Sequence, residues 1–182
     1  MIKASLLFAV SCSVFSMAAF ATEKTSPEDR KLITSAMSAA PRSISGKATI
    51  VAMEADGSMR TLQKGSNGWT CMPDAPSTPG DDPMCLDANA WEWAGAWMTH
   101  KPPPDKVGFI YMLKGGSDAS NTDPYATEPA DGQWVTTGPH VMVVGPAVKD
   151  LPGYVKGEHP DTKLPYVMWA GTPYEHLMVP VK

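Results

Sequence analysis

The alternation of apolar and polar positions divides the chain into helical and extended stretches. Leu32, Ile33, Ala36, Met37 and Ala40 recur at i, i+4 spacing, the repeat of one helix face. Ser26 stands where an N-cap belongs, Pro27 suits the first helical position, and Glu28 and Asp29 favour the positive end of the helix dipole. The spacing predicts a short helix to about Ala39, stopped by Pro41. From Gly46 the period falls to two. Residues 47–54 and 59–64 read as strands joined around Asp56-Gly57, and Ser66-Asn67-Gly68 turns into a third strand through Trp69 and Cys71, so a β-meander is expected.

Helical spacing returns over 86–100, with Asp87 as cap and Ala90, Trp93, Ala94 and Trp97 on one face; Trp91 and Met98 lie beside it. Such a tryptophan stripe is either a ligand platform or a buried packing face, and burial against a sheet is the commoner fate. Residues 107–113 form a strand of the buried kind, and 115–131 is a long polar stretch without periodicity, the type of loop that is often functional. Asp118, Ser120 and Thr122 faintly resemble a calcium loop, but the central glycine is missing and Pro129 stands where a bidentate Glu is needed. Three more strands follow at 140–144, 166–170 and 176–181. The order lacks strict β-α alternation, so the fold class is α+β: a mainly antiparallel sheet of about six or seven strands with two helices packed on it.

Met1-Ile2-Lys3, an uncharged apolar run and Ala19-Phe20-Ala21 together read as a secretory signal, cleaved after Ala21, which leaves 22–182 as one globular domain. The run is too short to span a bilayer, and Cys12 lacks the upstream residue of a lipoprotein signal. The formal charge of −4, one unit more negative without Lys3, gives no footprint for nucleic acid or anionic lipid. The mature protein is therefore expected in the periplasm or secreted, free of the membrane. Two cysteines remain, Cys71 and Cys85, an even number in an oxidising compartment and outside any redox or haem motif; a structural disulfide is expected.

Common nucleophile, phosphate-binding and zinc-protease motifs are absent. Glu92, Asp81 and Asp82 read as solvated charges. Gly68-Trp69-Thr70-Cys71-Met72-Pro73-Asp74, Pro83-Met84-Cys85, Ser120-Asn121-Thr122-Asp123-Pro124-Tyr125 and Gly138-Pro139-His140-Val141-Met142 resemble segments of a set of small exported bacterial proteins of uncharacterised function. The resemblance covers most of the mature chain. It implies export and a common fold, and it attaches no activity, cofactor or catalytic residue.

Three functional readings follow. The first is an exported binding or accessory protein, whose ligand meets the long loop and nearby aromatics, with His140, His176, Asp123 and Tyr125 as ligand-binding candidates. The second is a hydrolase or lyase with His140 or His176 as general base and Asp123 orienting it. The third is a copper site. His140 and Met142 share one face of their strand, as do His176 and Met178, while Val141, Val143, Leu177, Val179, Val181, Val167 and Trp169 occupy the opposite faces. The aliphatic side is expected to be the core. The other side then gathers His140, Met142, His176, Met178 and Met168 with Tyr166, an imidazole and thioether set suited to Cu(I).

Overall fold

A computed structural model describes residues 25–181. The expected signal segment and cleavage site, with Cys12, lie outside the described residues. The fold is α+β with a mainly antiparallel sheet. That sheet has eight strands rather than six or seven, and among the described residues three α-helices rather than two accompany it.

Helix α1 (Pro27–Ser38) begins as the sequence dictates, with Ser26 Oγ accepting from Asp29 N at 3.0 Å. A single turn, α2 (Arg42–Ser45), follows Pro41. Strands β1 (Thr49–Met53) and β2 (Met59–Gln63) pair antiparallel through a turn at Gly57, whose φ of +81° only glycine adopts freely. The expected meander stops there. Strand β3 (Thr70–Met72) lies on the other edge of β1 and runs parallel to it. Ser66 N donates to Lys47 O at 2.8 Å and Thr49 N to Trp69 O at 2.8 Å, tying the returning chain alongside β1.

Strand β4 (Met84–Leu86) pairs antiparallel with β3, placing Cys71 directly opposite Cys85, and the disulfide joins them. Helix α3 (Ala88–Met98) and strands β5 (Gly108–Met112), β6 (Gly116–Asp118), β7 (Val135–Thr137), β8 (His140–Val144), β9 (Tyr166–Met168) and β10 (His176–Pro180) complete the chain. The sheet order is β2-β1-β3-β4-β5-β8-β10-β9; β6 and β7 form a separate ribbon at the two ends of the long polar segment.

Alternation along the strands sends the two helical layers to opposite faces. Cys85 and Tyr111 point to the side where Ala36, Ala39 and Ile33 of the α1 region pack with Ile50 and Cys71. Leu86 and Ile110 point to the other, where Trp93 and Ala90 of α3 form the main core with Val144, Tyr166, Met168 and Met178. Helix α3 sits close because Gly108 has no side chain: a Cβ there would lie 2.4 Å from Ala90 N. Beyond α1, Phe109, Val141, Val143, Leu177 and Val179 on that first face are exposed or half-buried.

The burial of the C-terminal strands reverses the sequence expectation. His140, His176, Met168, Met178 and Tyr166 are all about 1% exposed or less, and it is their side that faces α3. The valine side is the less covered one. Of the aliphatic set only Val167 is buried among the strand residues, together with Trp169 just beyond β9. The physical reason is the position of α3, whose tryptophans settle on the methionine face.

Candidate functional site

A cleft opens between α3, the β5–β8–β10–β9 part of the sheet and the segment after β6. Its outer compartment, about 390 Å³, is lined by Trp97, Tyr125, Trp134, Trp169, Asp118 and Asp123 among others. The inner one, about 270 Å³, continues beneath it and is lined by Met84, Met112, Met142, Met168, His176, Trp93 and Asp82. Ser77, Thr78, Trp97, Ser117, Asp118 and Trp169 line both, so the two compartments adjoin. A larger hollow of about 540 Å³ lies elsewhere, around Pro104, Pro146 and Glu175. Glu175 is already engaged by Gly171 N at 2.9 Å, Asp150 N at 3.3 Å and Lys156 Nζ at 3.3 Å, so its carboxylate holds loops together.

The aromatic wall is built with strain. Trp169 adopts φ +57°, a conformation that bulky residues avoid. It is held there on every side. Trp169 N donates to Asn121 O at 2.7 Å and Nε1 to Ser120 O at 3.1 Å, while its carbonyl accepts from Thr172 N at 3.1 Å and Thr172 Oγ1 at 2.7 Å. Its ring lies parallel to Trp93 at 6.3 Å, 5.2 Å from Trp97, and edge-on to His176 at 4.8 Å. At the mouth, His100, also at positive φ, stacks on Tyr125 with centroids 4.0 Å apart. Trp97 Nε1 donates to Pro124 O at 3.0 Å, so helix and loop close the wall together.

The charged groups lining the cleft are carboxylates: Asp82, Asp118 and Asp123, with no Lys or Arg among the described residues that line it. Asp82, expected to be a solvated charge, is 7% exposed; it accepts from Ala75 N at 3.1 Å and from Thr78 Oγ1. Burial pushes its carboxyl up. Burial, with the nearby Asp82 charge, pushes Asp118 up to about 7. Asp81 and Glu92 do remain exposed, paired with Lys114 and Lys106.

Both candidate histidines are held the same way. Nδ1–H of His140 donates to Gly138 O at 2.8 Å and that of His176 to Tyr174 O at 2.9 Å, because a carbonyl can only accept. The neutral ring therefore carries its free lone pair on Nε2. His140 Nε2 is buried without a partner. Burial holds His140 below the usual histidine range and lowers His176 to about 4. Asp123 orients neither ring; its Oδ1 accepts from Tyr125 N at 2.9 Å.

The structure brings together part of the sequence-derived set. Asp123 and Tyr125 line the outer compartment; His176, Met142 and Met168 line the inner one. Strands β8, β10 and β9 are neighbours, but His140 lies opposite Pro180 and His176 opposite Val144, four residues out of step. His140 and Met178 do not line the cleft. Instead His140 faces Met112 across β5, near Gly116 and Asp82. Sequence reasoning missed Asp118, Asp82, Trp134 and Trp169 as cleft residues. The sequence pattern places Trp169 in a strand and Asp118 in a loop, and the two meet only through tertiary packing. Among the described residues no three His, Cys, Asp or Glu side chains gather as a metal cluster. Family models, curated proteins and solved structures provide no match to the chain.

Proposed function

We propose that this protein is an exported binding protein that takes a small neutral or cationic molecule with an apolar body into the cleft under α3. The observation that carries the reading is the pairing of a strained, four-aromatic wall with carboxylates and no basic group. Aromatic faces attract cations and apolar surface alike, and a carboxylate at the rim rejects anions. Strain at Trp169 points the same way, since residues held in costly conformations concentrate at ligand clamps. Export fits the Cys71–Cys85 disulfide, which persists in oxidising compartments. Among the described residues no helix is long and apolar enough to cross a membrane.

The test is tryptophan fluorescence titration of the mature protein with benzyltrimethylammonium and with benzoate, two ligands of similar size and opposite charge. The cation is expected to bind and the anion not, and Asp118→Asn is expected to weaken the cation. Equal binding of the two, or of neither up to about millimolar, sinks the reading.

A further inference from the structure

We propose that the inner compartment is a soft-metal site, taking Cu(I) or Ag(I) on His176 Nε2 with the thioether sulfurs of Met168 and Met142. The proposal rests on the reading of the cleft as the ligand site, and it names a distinct occupant for its deep end. Three observations converge. His176 and Met168 are directly opposed across β10 and β9, the closest same-face relation a sheet offers. Met142, on β8, is diagonal to His176, because His176 pairs with Val144 two residues on. All three line the same 270 Å³ space, where the flexible thioether arms can converge on one point.

The imidazole is already arranged as a ligand. Metal-bound histidines characteristically donate the second ring N–H to a carbonyl, which fixes the tautomer and aims the free lone pair; Tyr174 O at 2.9 Å does this here. The donor set is neutral and polarisable, which selects a soft monovalent ion over Zn²⁺ or Ca²⁺. Trp169 and Trp93 stand edge-on to the ring at 4.8 and 5.4 Å, and Asp118 lines the same space. Binding moves no electrons: the ion keeps its +1 state and each donor contributes one lone pair.

The test uses the mature protein, silver nitrate in chloride-free buffer with native mass spectrometry, and Cu(I) under anaerobic conditions against a colorimetric chelator. One ion per chain is expected, with quenched tryptophan fluorescence and a shifted His176 Nε2 resonance. A Met142→Leu, Met168→Leu double variant conserves side-chain volume, so it is expected to keep its circular dichroism while losing on the order of tenfold or more in affinity. Met53 and Met98, 49% and 46% exposed, provide the control: a Met53→Leu, Met98→Leu double variant is expected to bind unchanged. Affinity weaker than about micromolar, an unaffected inner double variant, or a loss confined to the outer one overturns the site. Binding of benzyltrimethylammonium without Ag(I) overturns this proposal alone; refusal of both overturns the cleft as a ligand site.

Discussion

Trp169 shows how much a single residue can be asked to do. Its positive φ costs on the order of 1–3 kcal/mol by itself, and its four hydrogen bonds and its contacts with Trp93, Trp97 and His176 hold it there. Trp169→Phe keeps a ring in the wall and gives up the indole bond to Ser120 O. It is expected to lose about 1 kcal/mol, seen as a lower urea midpoint at unchanged slope. Trp169→Gly relieves the backbone but empties the wall, where removing a tryptophan ring typically costs about 3–5 kcal/mol, so the glycine variant is expected to be the less stable of the two. A glycine variant as stable as the parent would show that the ring's packing contributes no more than its strain costs.

At the scale of elements, the cleft depends on where α3 docks. Asp87 accepts from Ala90 N at 2.8 Å through Oδ1 and from Phe109 N at 3.1 Å through Oδ2, so one carboxylate caps the helix and fastens it to β5. Asp87→Ala is expected to cost about 1–2 kcal/mol in thermal or urea unfolding, and Asp87→Asn less, because one oxygen still caps. That cap was legible in the sequence, as were α1, the β1–β2 hairpin, the C-terminal strands and the disulfide pair. Other features were not. Strand β4 is three residues beside a proline-rich loop, too short to leave a period, and β6 and β7 consist largely of Gly, Ser, Asp and Thr inside a polar stretch. The parallel placement of β3 is a non-local choice. Period two gave both faces of β8 and β10 correctly, yet could not say which one is buried, because methionine is as apolar as valine. That choice is made by α3, whose start lies more than forty residues earlier in the chain.

The whole molecule carries opposed buried titrations. Asp118, raised to about 7 against about 3.9 in an unfolded chain, binds more protons folded than unfolded between those values, so its contribution removes stability as pH rises from about 4 to 7. Asp82, also raised by burial, acts in the same direction. His176, lowered to about 4 against about 6.5 unfolded, does the reverse: the unfolded chain takes the proton, and stability is lost as pH falls from about 6.5 to 4. His140 adds to it. Over that window the two slopes oppose each other. Surface carboxylates held low by hydrogen bonds, Asp29, Asp56 and Glu158, add an acid loss shared by parent and variant, so the difference between the two isolates the buried group. Asp118→Asn removes one arm of the balance. Urea unfolding at pH 4, 5, 6.5 and 8 is expected to show the variant gaining stability relative to the parent as pH rises, most steeply between about 4 and 7, and levelling above. A difference that stays constant across the four pH values would mean that Asp118 ionises in the folded cleft as it does in the unfolded chain, and the cleft would then present an ionised carboxylate from about pH 5 upward.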